Sequence, residues 1–292
     1  MRCPSFIQFY PTLACNQKCN FCFNQNIYEA KHFTNIDRQD ALSLVLMLSY
    51  KGIPEIDVLG GEPFLVPWIA DFIAYATNLG MRINVSTNGS LPLAIHEIVK
   101  IKTDHLSIGF SLHGFDETHN RMTGADNFSK ALSGINAMIA SGMNPVVKSV
   151  LIQENMREIA RLVKFLEKLG VRRYYLMHED IIGRKGEKSF SFPDFWRFYT
   201  ALRSRGEKLS IGFVAASGFY VKDVDARGRC NAGIKKLAIL PDGSVFPCNL
   251  FSGFKEFSLG NVFDEGIEKL WASPVLRLFR EFDGRNRCNK SK

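Results

Sequence analysis

Cys15, Cys19 and Cys22 stand in the polar stretch Ala14-Cys-Asn-Gln-Lys-Cys-Asn-Phe-Cys-Phe-Asn24, with the spacing C-x3-C-x2-C. Three thiolates this close together can hold three irons of a cubane cluster and leave the fourth iron without a protein ligand. An open iron is a place for chemistry, because a substrate or cofactor can coordinate there. Thiolate-rich sites select soft metals, which leaves iron–sulfur or zinc. A closed zinc site wants a fourth Cys or His at paired spacing. The nearest histidine, His32, is ten residues past Cys22, and Cys3 is twelve residues before Cys15, so neither has that spacing.

The elements that must position these thiols follow a helix, glycine, strand cadence. Gly52, Gly80, Gly142 and Gly170 each end an apolar-periodic segment and precede a β-rich run. A glycine just past a helix takes the left-handed conformation at no Cβ cost and stops the helix. The runs are 55–59, 82–86, 144–151 and 171–177, with two more strands at 5–10 and 105–111. Helices are expected at 37–50, 67–79, 91–100, 129–141 and 156–169, the last opened by a capping-box-like pair, Asn155 and Glu158. Alternation of this kind forces parallel pairing with helices outside, an α/β fold.

Other segments with chemical potential fall at the carboxyl ends of these strands. Cys15 follows the first, Gly60–Glu62 end the second, Ser86–Asn88 the third, Ser111 and His113 the fourth, and Met177–Glu179 the sixth. Barrel-type α/β proteins build their sites on that rim. His113, Arg121, His178, Glu179 and Asp180 lie on or near it as candidate substrate contacts, and none acquires a role from spacing alone.

The cysteine spacing, followed about forty residues later by Asp57-Val-Leu-Gly60-Gly61-Glu62-Pro63-Phe64, resembles the motif pair of the radical S-adenosylmethionine (radical SAM) superfamily. Ser86-Thr-Asn-Gly89, Ser111-Leu-His-Gly114 and Glu117-Thr-His-Asn-Arg-Met-Thr-Gly124 come in the order found in members with a C-terminal SPASM or twitch extension. The resemblance implies a partial (β/α)6 TIM-like barrel, with Cys15, Cys19 and Cys22 as ligands of a [4Fe–4S] cluster that binds SAM. It also implies that Gly60, Gly61, Glu62 and Pro63 bind the methionyl amino group: the glycines admit close backbone approach, Glu62 offers a carboxylate, and Pro63 fixes the turn. Ser86, Thr87 and Asn88 would take the ribose or the methionyl carboxylate. Ser111 is placed similarly, Lys148 would meet the SAM carboxylate, and Phe21 would pack near the adenine.

The C-terminal third carries further thiols: Cys230, Cys248 and Cys288. Residues 236–247 read as strand, Pro-Asp-Gly turn and strand, a hairpin that would bring Cys230 and Cys248 together. A helix is expected over 267–282. The whole is similar to the twitch or SPASM extension, which implies a second, auxiliary [4Fe–4S] cluster on Cys230, Cys248 and Cys288. Its fourth ligand is missing, since a C-x2-C ending would need cysteine at Ser291, and with the chain ending four residues after Cys288 one auxiliary cluster is the expected ceiling. The expected organisation is a core over 1–182, a connector over 183–229 and the extension over 230–292.

Composition suggests a soluble globular chain of one large domain, or one plus a small appendage: 292 residues, 46% hydrophobic, with no apolar run long enough to span a bilayer. The start lacks a secretory pattern. Seven cysteines, an odd number in clusters, suit metal ligation in a reducing cytoplasm better than disulfides. The net charge of +8 suits an acidic or phosphorylated partner, or is a solvated surface. No segment points to nucleic acid. The resemblance implies reductive cleavage of SAM to a 5′-deoxyadenosyl radical, fed by a one-electron donor such as flavodoxin or ferredoxin. Hydrogen abstraction from a peptide or small molecule would follow, for oxidation, epimerisation or crosslinking. With fourteen residues before Cys15, no leader-binding domain is expected. The alternatives are a small-molecule alcohol dehydrogenase of the same superfamily and a non-enzymatic electron-transfer protein, the latter having no use for Glu62.

Overall fold

Residues 6–9, 55–58 and 82–87 alternate between an apolar and a polar side chain, apart from Phe6 and Thr87, and the structure turns that alternation into two faces of one sheet. The computed structural model describes residues 3–24, 35–179, 190–204, 208–214 and 231–281. Strands β1 (Phe6–Phe9), β2 (Glu55–Val58), β3 (Arg82–Thr87), β4 (Leu106–Ser111), β5 (Val146–Leu151) and β6 (Arg173–His178) lie side by side in that order, all parallel. Helices α1 (Arg38–Tyr50), α2 (Ile69–Asn78), α3 (Pro92–Ile98), α4 (Asp116–Thr123), α5 (Phe128–Ala140) and α6 (Met156–Leu169) connect them. This is the partial (β/α)6 barrel of the sequence reading, with each expected strand and helix of the barrel within two residues of its bounds.

The core lies between the sheet and its helices. Ile7, Ile56, Ile83, Ile108, Val147 and Tyr174 are fully or almost fully buried on the helix-facing side. The opposite face is polar: Gln8, Asp57, Asn84, Ser86 and Lys148 point into the barrel interior, where they remain partly accessible. A parallel sheet buried on both faces reads as an unbroken apolar run. Here one face is left polar, which suits a barrel that holds something inside. Among the described residues no helix is long and apolar enough to cross a membrane.

The sheet extends beyond the six expected strands. After α7 (Phe192–Arg203), β7 (Ser210–Val214) pairs parallel with β6, so the stretch read as a connector contributes a strand. At the other edge β8 (Lys236–Ile239) pairs parallel with β1, and β9 (Ser244–Phe246) folds back on β8 antiparallel, as the Pro-Asp-Gly turn requires. The two-residue β10 (Gly260–Asn261) closes that edge against β9. The extension is therefore continuous with the barrel sheet through β1.

Three local readings change. Helix α4 occupies the 116–123 segment, which is too polar to show an apolar period; Gly124 ends it in the left-handed conformation. Asn155 does not cap α6 through its side chain. Its amide Nδ2 instead donates to the carbonyls of His113 (2.7 Å) and Val150 (2.8 Å), while Glu158 accepts from Phe115 N (2.8 Å) at the start of α4. The helix expected over 267–282 is broken: α9 (Ile267–Trp271) and α10 (Arg277–Arg280) flank a short 3-10 turn (Pro274–Leu276), with α8 (Val262–Glu265) before them. Pro274 is the cause, because the residue before a proline is pushed out of the helical region, and Ser273 sits at φ −53°, ψ 134°.

Phe110 is fully buried on β4 and packs among α3 and α5. Its replacement by alanine is expected to cost about 3–5 kcal/mol of stability in denaturant unfolding; an unchanged midpoint would show that this layer is not part of the cooperative core.

Candidate functional site

The site forms where the loop after β1 meets the ends of β2 and β3. Backbone hydrogen bonds zip the first two together: Leu59 N donates to Phe9 O (2.8 Å), Gly61 N to Thr12 O (3.1 Å) and Glu62 N to Ala14 O (2.8 Å). The approach is so close that a Cβ on Gly60, whose φ is +141°, would stand 2.6 Å from the Thr12 carbonyl oxygen, and one on Gly61 would overlap the Ala14 carbonyl. Only glycine fits either position. The glycine pair is thus a strap laid along the segment that leads into Cys15.

Glu62 ties the strap to β3. Its carboxylate is 1% exposed. It accepts from Asn88 N (2.7 Å) at one oxygen and from Thr87 Oγ1 (2.8 Å) and Phe64 N (3.1 Å) at the other. Burial pushes its pKa up to about 7, and the three hydrogen bonds oppose the rise. Thr87 is therefore committed to Glu62. The Asn88 side chain faces the cysteine loop: Nδ2 donates to Asn16 Oδ1 (2.9 Å) and lies 3.9 Å from Cys15 Sγ. Asn127 Nδ2 holds the Asn88 carbonyl from behind (2.6 Å).

The three cysteines share one partly buried loop, closed by Cys22 N donating to Cys19 O (3.2 Å). Burial pushes the Cys15 thiol up to about 11 and the Cys19 thiol higher, and charge on the neighbouring sulfurs adds to both. Metal ligation overrides such shifts by deprotonating the thiol outright. Among the described residues no three His, Cys, Asp or Glu side chains converge tightly enough to share a single metal ion. Three thiols spaced along one loop can serve a multinuclear group, whose ligands each bind a different metal. Phe21 packs with Met122 and Ile152, its ring edge-on to His113 at 4.5 Å.

Ser86 and Lys148 meet inside the barrel, Lys148 Nζ donating to Ser86 Oγ at 2.8 Å. The lysine stem crosses Gly109, where a Cβ would stand 2.6 Å from its Cε. Burial lowers the Lys148 pKa, and the Asp57 carboxylate opposes that. Ser111 is the register partner of Lys148 across β4 and β5. A half-buried ammonium beside two hydroxyl-bearing positions, open to the lumen, has the chemistry to pair with a carboxylate. Of the other rim candidates, His113 is buried, with Nδ1 accepting from Val150 N (3.2 Å). His178 Nε2 contacts the Phe190 carbonyl (3.0 Å), Glu179 is buried, and Arg121 pairs with Glu154 (2.5 Å). Cys248 is buried at the end of the β8–β9 hairpin. Cys230, Cys288, Ser291 and Asp180 lie outside the described residues.

Sequence reasoning missed Asp57, Asn84, Asn16, Asn24 and Asn249. Asp57 accepts from Asn84 Nδ2 (2.9 Å) in the lumen, and burial raises its pKa. The two-residue period of β2 and β3 contained that signal. Asn16, Asn24 and Asn249 had no such signal beyond standing next to, or two residues from, a cysteine.

Two expectations follow. Gly61→Ala is expected to displace the strap from Ala14 and to cost several kcal/mol, of the order of an overpacked core site; a wild-type unfolding midpoint would refute the close packing. Glu62 keeps its proton in the folded chain up to about pH 7 but loses it near 4.5 when unfolded. Its contribution is therefore complete below 4.5 and is lost as pH rises through 7, by roughly 3 kcal/mol. In the absence of SAM, Glu62→Gln is expected to gain on wild type between about pH 5 and 8 in denaturant titrations, and parallel pH profiles would contradict the burial.

Comparison with known proteins agrees with this geometry. Residues 9–166 match the radical SAM superfamily, and residues 230–290 match SPASM, described as an iron–sulfur cluster-binding domain. Among curated relatives, the antilisterial bacteriocin subtilosin biosynthesis protein AlbA of Bacillus subtilis is 26% identical over 276 residues. That alignment takes in 94% of this chain, which spans 60% of AlbA's length. An AdoMet-dependent heme synthase of Oleidesulfovibrio alaskensis is 24% identical over 306 residues, 94% of this chain and 77% of the relative. The crystal structure of Streptococcus suis SuiB bound to precursor peptide SuiA superposes with a TM-score of 0.82 at 19% identity, over 97% of this chain and 68% of SuiB, which shows a shared fold. Since the first family match covers more than half of the sequence, the chain belongs to the radical SAM superfamily, with an iron–sulfur C-terminal domain, and its cofactors are [4Fe–4S] clusters and SAM.

Proposed function

We propose that this chain is a peptide-modifying radical SAM enzyme. When bound, the cluster and SAM supply a one-electron cleavage that yields methionine and a 5′-deoxyadenosyl radical able to take a hydrogen atom from substrate. Cys15, Cys19 and Cys22 hold that cluster. The Gly60–Gly61 backbone receives the methionyl amino group, aided by the one lone pair of the Glu62 carboxylate that its three protein hydrogen bonds leave over, and Pro63 keeps the strap turned. Lys148, with Ser86 and Ser111 beside it, receives the methionyl carboxylate. Thr87 and Asn88 act on the same site by holding Glu62 and the cysteine loop, within reach of the ribose. Phe21 lines the adenine side. Cys230, Cys248 and Cys288 ligate the auxiliary cluster, in the extension that follows a core and connector divided as the sequence suggests.

The observation that carries this reading is the joining of the cysteine loop, the glycine strap and the β3 end into one hydrogen-bonded unit on the rim of a barrel with a polar interior. The peptide substrate is favoured by AlbA, a bacteriocin biosynthesis protein, and by SuiB, seen with a precursor peptide. The heme synthase relative supports a small-molecule reading. A one-electron donor of flavodoxin or ferredoxin type is required in either case, and free thiols in number suit a reducing cytoplasm.

After anaerobic reconstitution, wild type is expected to carry about eight irons, and Cys248→Ala about four. With dithionite and SAM, wild type is expected to form 5′-deoxyadenosine, and Cys15→Ala, Cys19→Ala or Cys22→Ala none. A mass change in a co-expressed precursor peptide supports the peptide reading. Turnover that responds to a tetrapyrrole and to no peptide would replace it.

A further inference from the structure

A pair of buried asparagines joins the C-terminal extension to the strap. Asn249 directly follows Cys248 and opens a short 3-10 turn (Asn249–Phe251); Asn24 stands two residues past Cys22. They are 225 residues apart in the chain, yet Asn249 Nδ2 donates to Asn24 Oδ1 at 3.1 Å, and Asn24 Nδ2 reaches the Gly60 carbonyl at 3.4 Å. Exposure is 4% for Asn249 and 2% for Asn24. Alongside runs an apolar wall of Ala232, Cys248 and Leu250 with Phe23, Phe251 and Phe279. Buried amides against such a wall depend on one another, because removing either costs the other a hydrogen bond in a place that water does not reach.

We infer that Asn24 and Asn249 are positioning residues for SAM, through which the extension sets the place of the Gly60 carbonyl. This rests on the reading of Gly60–Glu62 as the SAM-binding strap. The strap is anchored on its inner side by Thr12, Ala14 and the ends of β3, all within the barrel. Among the described residues, the donor that reaches the Gly60 carbonyl is Asn24, and Asn24 is held in turn by a residue adjoining a cysteine of the extension. Three parts of the site, the cysteine loop, the strap and the extension, therefore meet at two side-chain amides. Polarity matters: each amide must donate toward the strap and accept from the extension. Aspartate at 249 keeps the shape and loses the donor, which sets two oxygens against each other.

The test is a double-mutant cycle on SAM affinity, measured by equilibrium binding to the reconstituted full chain, with iron content and melting temperature recorded for each variant. Asn249→Ala and Asn24→Ala are each expected to weaken SAM binding roughly tenfold. The double variant is expected to be no weaker than the worse single one, because both remove the same link. Asn249→Asp, isosteric and able to pack, is expected to weaken SAM as Asn249→Ala does, with the iron of the first cluster unchanged. Wild-type SAM affinity in Asn249→Ala and Asn249→Asp, or losses that multiply in the double variant, would overturn the link. A wild-type protein that carries the first cluster and binds no SAM would instead overturn the reading of the strap, and the inference with it.

Discussion

The structure of the site depends on a carboxylate that water does not reach. Glu62 is buried under the rim, and its two oxygens gather Phe64 N from its own turn and Thr87 Oγ1 and Asn88 N from the end of β3. A buried carboxylate is costly unless hydrogen bonds compensate it. Here three donors offset part of that cost, and in binding Glu62 they fix the distance between the second and third strand ends. Asn88, its backbone held by that carboxylate, turns its side chain toward Asn16 and Cys15. The position of the first cysteine is in this way tied, through Asn88 at the end of β3, to the carboxyl group that follows β2.

The barrel interior complements that rim. Its helix-facing residues are the usual aliphatic layer, while the lumen bears Asp57, Asn84, Ser86 and Lys148. An ammonium and a carboxylate in the same partly dry space stabilise each other's charged forms against desolvation: burial lowers Lys148 and raises Asp57, and each opposes the other's shift. The interior thus keeps charge available for a zwitterionic ligand in a region from which bulk water is largely removed. Exclusion of water also suits radical chemistry, which water and oxygen would divert.

What the sequence made legible was local. Three cysteines, two glycines and a glutamate announce themselves by type and spacing, and strands and helices by their periods. The rest depended on contacts with no period. Asn155 looked like a cap because the residues after it form a helix; its amide is instead taken by carbonyls of residues 113 and 150. Strand β7 was obscured by Gly212, which makes room for the Tyr175 ring. The Asn24–Asn249 pair spans the chain and alters no hydropathy pattern. Pro274, by contrast, stood in plain view as a helix breaker. Continuity of β8 with β1 was hidden for the same reason as most sheet neighbours: adjacency in a sheet is decided by tertiary packing, while the hairpin itself was written in its turn.

The central claim is that the cysteine loop presents a cluster with one iron open to SAM beside the strap. Electron paramagnetic resonance of the reduced, reconstituted protein tests it most directly, recorded with and without SAM. The account predicts a cubane signal whose g-values shift when SAM is added, because the ligand field of the open iron changes. A cluster signal that SAM leaves unaltered would contradict it.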